Sequence, residues 1–225
     1  MVRVGVVLSG CGYLDGAEIH ESVLAGYFLE KEGAELAWCA PDVDQMHVVN
    51  HLTGAEAKGE RRNVLVESAR IARGDIVAVD KLKVSAIDAL VLPGGYGAAK
   101  NLCDFATKGA QCAVHPAVEG LVRAVHAAGK PIGAICIAPA LIARILGPLG
   151  PQLTIGEDAH TAKALESLGA RHQTKAVHEI VVDRKLKLVT TPAYMLGPRI
   201  ADVARGIEEL CREVVALART PAGVS

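Results

Sequence analysis

One cysteine of the chain stands between a predicted strand and a predicted helix. Residues 132–135 form an apolar run typical of a buried parallel strand, and from 138 to 146 the apolar residues follow helical spacing. Cys136 lies at the turn between them, which is the arrangement of a nucleophile elbow. Strand and helix backbones crowd together there, so the residues two before and two after must be small. Here they are Ala134 and Ala138.

This position predicts a reactive thiol. The helix that begins after Cys136 points its free N–H groups and its positive dipole end at the sulfur, and both stabilise a thiolate. We therefore expect a low thiol pKa, and we expect the backbone N–H of Ile137 to act as an oxyanion donor. The alternative is a buried, unreactive cysteine that ends a core strand, because free cysteines are usually of that kind. Spacing alone leaves both possibilities open.

A carboxyl group is expected near the same edge of the sheet. Residues 2–8 are a predicted first strand, a glycine-rich loop follows, and residues 18–32 have the period of an amphipathic helix. Glu21 lies in the first turn of that helix, at the edge where open α/β sheets place their ligands. The alternative is an acidic residue that only favours the helix dipole. The helix stripe predicted to face the core consists of Ile19, Val23, Leu24, Tyr27 and Phe28.

Glycines follow two of the predicted strands. Residues 10–16 have the spacing G-x-G-x-x-x-G, one residue longer than the dinucleotide fingerprint, so a tight turn that lines a pocket is the better interpretation and no cofactor is predicted. The strand at 87–92 ends in Pro93-Gly94-Gly95, where main-chain N–H groups can approach a ligand. The predicted pocket residues are Gly10, Cys11, Gly94 and Asn101.

The composition favours a mostly parallel sheet flanked by helices. The chain has 225 residues and no evident linker, which predicts a single domain over residues 1–225. Hydrophobic residues make up 51% and aromatic residues only 3%, so the core must be built from aliphatic side chains. Residues 179–190 predict a small antiparallel hairpin, and residues 98–115 predict a long loop of the lid or partner-surface kind.

Charge and cysteine usage restrict the partners and the location. A net charge of −1 gives no general attraction to nucleic acid or to an anionic membrane. Six cysteines without a CxxC pair are typical of reduced thiols, and the first apolar run is too short for a signal peptide or a membrane span. His47 and His51 have the spacing of two helical metal ligands but lack a third, so no metal site is predicted. We expect a cytoplasmic protein.

Seven blocks of the sequence resemble the PfpI-type, class I glutamine-amidotransferase-like superfamily. More narrowly, they resemble its ElbB branch, which is described as glyoxalase-like and is linked by name to isoprenoid biosynthesis. The blocks are residues 8–12, 16–21, 50–54, 67–71, 93–102, 136–139 and 190–195. They span nearly the whole chain, and the run from 93 to 102 is specific to the branch.

The resemblance implies a flavodoxin-like three-layer α/β sandwich that commonly forms a homodimer. By position it places the nucleophile at Cys136 and the pocket glutamate at Glu21, with oxyanion donors at the backbone of Gly95 and Ile137. The chain departs from the pattern because Ile137 stands where protease-like members have histidine, and no His-x-Glu pair follows the elbow. Without a histidine as general base, peptidase and glutaminase activities are not expected.

Two classes of function remain. The first is a glyoxalase III-like lyase that converts glyoxal or methylglyoxal to glycolate or lactate without glutathione. In this mechanism Cys136 adds to the aldehyde as a hemithioacetal and Glu21 moves a proton between the two carbons. The second is a non-catalytic or redox-sensing protein that uses the same thiol in low-pKa form and supports isoprenoid biosynthesis. Fold analogy alone does not decide between them.

Overall fold

A seven-stranded sheet forms the centre of the computed structural model, which describes residues 1–197 and 199–220. The sheet order is β10-β11-β7-β6-β1-β2-β5, and every pair is parallel except the antiparallel pair β10–β11. Two small two-stranded sheets, β3–β4 and β8–β9, lie outside it. The strands are β1 (Arg3–Val7), β2 (Glu35–Ala40), β3 (Val49–Asn50), β4 (Ala55–Glu56), β5 (Val77–Ala78), β6 (Ala89–Leu92), β7 (Ile132–Ile135), β8 (Gln152–Leu153), β9 (Arg171–His172), β10 (Val181–Asp183) and β11 (Leu188–Thr191).

Helices cover both faces of the sheet. They are α1 (Ile19–Lys31), α2 (Val64–Ile71), α3 (Tyr96–Lys100), α4 (Phe105–Lys108), α5 (Pro116–Ala127), α6 (Ala138–Leu146), α7 (Ala159–Ser167) and α8 (Ile200–Arg219). One half of the core joins the sheet to α3, α5, α6 and α7, and the other joins it to α1, α2 and α8. The prediction of a three-layer sandwich with a mostly parallel sheet and an antiparallel hairpin is confirmed.

The central strands explain this layering. All residues of β6 and β7 are buried, as expected for parallel strands covered on both faces. Gly133 in the middle of β7 lets α8 approach closely, since a Cβ there would lie 3.0 Å from a methyl of Leu210. No helix in the described ranges is both long and apolar enough to cross a membrane.

Helix α1 is turned differently from the predicted stripe. Ile19, Val23 and Tyr27 are 42, 53 and 58% exposed. The buried face consists of Glu21, Ser22, Ala25, Gly26, Phe28 and Leu29. Apolar residues occur on two sides of this helix, so periodicity could not choose between them. The buried side is the one that carries Glu21, whose carboxyl is hydrogen-bonded inside the protein.

The predicted long loop at residues 98–115 is partly helical. It contains the end of α3, all of α4 and a 3-10 turn at Gly109–Gln111. An antiparallel bridge between Cys103 and Val114 closes its ends, and the Asp104 carboxylate accepts a hydrogen bond of 2.6 Å from the N–H of Ala113. The segment is therefore a compact excursion held by its own backbone, beside the carboxyl end of the sheet.

Two helical glycines provide a matched test of this packing. A Cβ on Gly97 would lie 2.4 Å from the backbone carbon of Gly16, because the turn after β6 lies directly against the glycine loop after β1. A Cβ on Gly120 in α5 would meet nothing within 4 Å. We expect Gly97→Ala to lower the free energy of unfolding by roughly 1–3 kcal/mol through overpacking. Gly120→Ala should raise it by about 0.5–1 kcal/mol through helix propensity.

Urea denaturation at constant pH measures both changes. Equal stability of the two variants would contradict the close approach of the two loops.

Candidate active site

Three neighbouring strands, β1, β6 and β7, bring the predicted chemistry to one edge of the sheet. Cys136 follows β7 directly, Gly95 follows β6, and Glu21 lies in α1 after the loop from β1. The structure brings these three residues together with Ile137. The Cys136 thiol donates a hydrogen bond to the Glu21 carboxyl, and the backbone N–H groups of Gly95 and Ile137 face its sulfur. This is the edge at which parallel α/β sheets bind ligands.

Cys136 has the strained backbone of a nucleophile elbow. Its φ of 62° lies in the left-handed region, which residues other than glycine rarely adopt. Its N–H donates a hydrogen bond of 3.0 Å to the carbonyl of Thr191 at the end of β11, which anchors the turn to the sheet. Ala134 and Ala138 are both buried beside it, as the crowding of strand and helix requires. The elbow prediction agrees with this geometry.

The carboxyl of Glu21 is fully buried next to the sulfur. Its Oε2 accepts a hydrogen bond of 2.9 Å from the N–H of Gly94, and its Oε1 accepts one of 3.2 Å from the N–H of Tyr194. Gly94 must lack a side chain here, since a Cβ would lie 2.5 Å from Cβ of Cys136 and 2.7 Å from Oε2 of Glu21. Tyr194 follows Ala193, whose φ of 44° is again left-handed. Two strained turns therefore enclose one carboxyl–thiol pair.

Burial dominates the proton affinities of this pair. It raises the pKa of Glu21 to about 8, with the Glu18 charge adding to the rise and hydrogen bonds from Tyr194, Cys136 and Gly94 opposing it. Burial also raises the pKa of the Cys136 thiol, and the Glu21 charge adds to that rise, whereas the N–H groups of Gly95 and Ile137 lower it. The predicted low thiol pKa is therefore wrong. Desolvation of an enclosed sulfur outweighs the helix N-terminus.

A cleft of about 820 Å³ opens onto Cys136. Its lining residues are Tyr13, Glu18, His20, Gly95, Tyr96, Ala99, Phe105, Ala106, Thr107, Gly109, Cys136, Ile137, His160, Thr161, Ala164, Tyr194 and Met195. Both predicted oxyanion donors thus face the cleft, and Glu21 lies behind it with no exposed surface. Within the described residues, no group of three or more His, Cys, Asp or Glu side chains is placed to hold a metal ion.

The four predicted pocket residues do not line this cleft. The Asn101 side chain donates to the carbonyls of Ser9 and Asp15 at 2.9 and 2.8 Å, so it fastens the glycine loop instead of facing a ligand. The N–H of Gly10 donates to the hydroxyl of Ser68. Cys11 is partly exposed elsewhere on that loop, and burial raises the pKa of its thiol. Gly94 lies behind the sulfur and holds Glu21.

Three polar groups of the cleft wall were not predicted from the sequence. Glu18 caps α1 by accepting a hydrogen bond of 2.6 Å from the N–H of Glu21, and burial raises its pKa. A hydrogen bond of 2.7 Å joins Nδ1 of His20 to the hydroxyl of Tyr194. The spacing of Glu18 and Glu21 is that of a helix cap, and Tyr194 closely follows a strand end at the same edge. Those two signals were available in the sequence.

Comparison with known proteins gives one family. The model of the DJ-1/PfpI family matches residues 14–195. The human glutamine amidotransferase-like class 1 domain-containing protein 3, mitochondrial, is 47% identical over 96% of this chain and 83% of its own length. The ES1 protein homolog, mitochondrial, of Rattus norvegicus is 45% identical over 96% of this chain and 84% of its own.

A solved structure agrees with these relatives. The crystal structure of an isoprenoid biosynthesis protein with an amidotransferase-like domain from Ehrlichia chaffeensis has 34% sequence identity and a TM-score of 0.91. The match covers 96% of this chain and 99% of that one.

The two mammalian relatives are named as mitochondrial proteins. The prediction of a cytoplasmic location is therefore wrong. It failed because the number of cysteines and the net charge do not distinguish one reducing compartment from another.

Alkylation tests the electrostatics of the pair. Because the Glu21 charge and its hydrogen bond both raise the pKa of the Cys136 thiol, Glu21→Gln should shift the pH dependence of Cys136 alkylation to lower pH. Iodoacetamide labelling at a series of pH values, followed by peptide mapping, measures the rate at each cysteine. The partly exposed Cys11 is the internal control, and its profile should not move. A shift of Cys136 to higher pH would contradict the account.

Proposed function

Because this chain belongs to the DJ-1/PfpI family, we propose that it is a glyoxalase-type lyase that needs no glutathione. Its substrates are 2-oxoaldehydes, with glyoxal giving glycolate and methylglyoxal giving lactate. The observation that carries the proposal is the fully buried carboxyl of Glu21 directly beside the Cys136 side chain at the edge of an open cleft. Membership of the narrower ElbB branch is part of the same proposal.

In the first step the sulfur adds to the aldehyde carbon. Ionised Glu21 accepts the thiol proton as the carbon–sulfur bond forms, and the π electrons of the carbonyl move to its oxygen. The N–H groups of Gly95 and Ile137 stabilise that oxyanion, because both already face the sulfur. Glu21 then returns the proton to the oxyanion, which gives a hemithioacetal.

In the second step a proton moves between the two substrate carbons. Glu21 removes the hydrogen on the sulfur-bearing carbon as a proton, and the electron pair forms an enediolate. Glu21 then delivers that proton to the neighbouring carbon. The hydroxyl proton passes from one substrate oxygen to the other along the cleft wall, where His20 and Tyr194 are hydrogen-bonded to each other. The product is a thioester. Water hydrolyses it to the 2-hydroxy acid and restores the thiol, so the sequence needs no external oxidant or reductant.

The proton affinity of Glu21 suits this role. At a pKa of about 8, roughly one carboxyl in ten is ionised at pH 7, so both the accepting and the donating form are present. A carboxyl at its ordinary pKa would hold a proton too weakly to return it to carbon. The ionised fraction of Glu21 rises from about one tenth at pH 7 to about one half at pH 8, and turnover is expected to rise with it.

Two other activities fit the site less well. The hydrogen-bonding partners of the Cys136 sulfur are Glu21 and two backbone N–H groups, which lack the histidine base of amide hydrolysis. A redox sensor that supports isoprenoid biosynthesis, as the name of the Ehrlichia relative invites, needs an exposed thiolate. The raised thiol pKa and the 7% exposure of Cys136 disfavour that role.

The quaternary structure and the partners complete the proposal. We propose a homodimer, supported by the exposed apolar residues Ile19, Val23 and Tyr27 at successive turns of α1. Light scattering of the purified chain, whose mass is 23.5 kDa, measures this directly. The only partner otherwise required is the small 2-oxoaldehyde.

Two buried carboxyl groups distinguish a loss of catalysis from a loss of stability. Both oxygens of Glu21 and both oxygens of Asp183 accept backbone N–H groups, those of Asp183 coming from Leu186 and Gln152. Glu21→Gln and Asp183→Asn each place an amide NH₂ against a backbone N–H, so each should cost about 1–3 kcal/mol in stability. Only Glu21→Gln should lower methylglyoxal turnover, by roughly a hundredfold or more.

Turnover is measured at equal concentrations of folded protein, with Cys136→Ala as the blank. Similar turnover in the two carboxylate variants would remove Glu21 from the chemistry. Wild-type turnover no faster than that of a free thiol at equal concentration would refute the proposal that the protein is an enzyme.

A further inference from the structure

The cleft is far larger than the smallest 2-oxoaldehydes. Its volume of about 820 Å³ lies in the range of sites that enclose drug-sized ligands. Glyoxal or methylglyoxal bound at Cys136 would touch only the floor of such a space, and most of the wall would make no contact. A wall of this size provides binding energy only for a larger substrate.

The aromatic residues of the chain are concentrated on this wall. The chain has two phenylalanines, four tyrosines and one tryptophan, and four of these seven line the cleft. They come from separate segments and are Tyr13, Tyr96, Phe105 and Tyr194. Tyr13 and Tyr96 are 49 and 52% exposed, which leaves ring surface open to a ligand. Aromatic faces beside an open cavity favour a flat apolar group.

The charged groups of the wall disfavour an anionic substrate. Among the residues that the structure describes, no lysine or arginine lines the cleft. Its ionisable side chains other than Cys136 and the tyrosines are the Glu18 carboxyl and the imidazoles of His20 and His160. Lys100 lies 4.9 Å from the centre of the Tyr96 ring, but its ammonium donates to the carbonyl of Leu14 at 2.8 Å and contacts Nε2 of His47 at 3.0 Å. A carboxylate or phosphate on the substrate would therefore lose its water in the cleft without meeting a permanently charged cation, and the Glu18 carboxyl would lie on the same wall.

We propose that the preferred substrate is a 2-oxoaldehyde with a neutral aromatic or similarly bulky apolar substituent. The inference rests on the proposed function, because it assigns the aldehyde carbon to Cys136 with its oxygen toward Gly95 and Ile137. The substituent then extends along the cleft between the rings of Tyr96 and Phe105. Small 2-oxoaldehydes react at the same sulfur but leave this part of the wall unused.

Steady-state kinetics with three aldehydes tests the inference. Phenylglyoxal should have a kcat/KM roughly 10- to 100-fold above that of methylglyoxal, after division by the ratio of their rates with a free thiol. 4-Carboxyphenylglyoxal, which adds one negative charge to the same ring, should fall at least about tenfold below phenylglyoxal. Equal or higher kcat/KM for methylglyoxal, or for the carboxylated ring, would overturn the inference.

A matched pair of aromatic variants locates the effect. Phe105→Ala should lower the phenylglyoxal-to-methylglyoxal ratio of kcat/KM several-fold, because it removes one wall of the cleft. Tyr27 is exposed on α1 and does not line the cleft, so Tyr27→Ala should leave that ratio unchanged. An unchanged ratio in Phe105→Ala would place the aromatic preference elsewhere and contradict the assignment.

A binding measurement keeps the two claims separable. If no aldehyde is turned over above the Cys136→Ala blank, the proposed function fails. The substrate class is then decided by calorimetric titration of the wild-type chain with acetophenone, acetone and benzoate. Tighter binding of acetophenone than of both others would support the neutral aromatic class, and any other order would overturn it.

Discussion

A carboxyl group that is fully buried beside a thiol is the constraint on which the site depends. In the described part of the chain, the Glu21 oxygens are held by backbone N–H groups and the Cys136 thiol. No lysine, arginine or histidine side chain there forms an ion pair with this carboxyl. Such a group stays in the core only if its hydrogen bonds are made. This explains why α1 turns Glu21 inward and leaves Val23 outside, and why the position facing both side chains is Gly94.

The same constraint sets the chemistry. Because burial lifts the pKa of Glu21 from its ordinary value of 4.5 to about 8, the folded protein holds a proton there that the unfolded chain releases at neutral pH. Stability from this group is therefore lost as the pH rises from about 4.5 to about 8, since the folded state binds more protons over that window. Burial of Glu21 thus lowers the stability of the fold at neutral pH and places the pKa of an acid–base group close to that pH.

The elbow was predictable because a strand period, a small-residue pattern and a helix period meet at Cys136. The orientation of α1 was not, since its apolar residues lie on two sides and a buried glutamate, Glu21, decided between them. Asn101 was misplaced because its amide binds backbone atoms more than eighty residues away in sequence. The aromatic wall was equally hidden, because Tyr13 and Phe105 come from distant segments that only the fold brings together.

The proton affinity of Glu21 is the central claim, and carbon-13 NMR measures it directly. Glutamate labelled at the side-chain carboxyl is incorporated throughout the protein, and the signal absent from Glu21→Gln identifies Glu21. The account predicts that this signal titrates with a midpoint near pH 8, above those of the exposed glutamates. A midpoint near 4.5 would mean that the carboxyl is ionised at neutral pH, and it would contradict the mechanism.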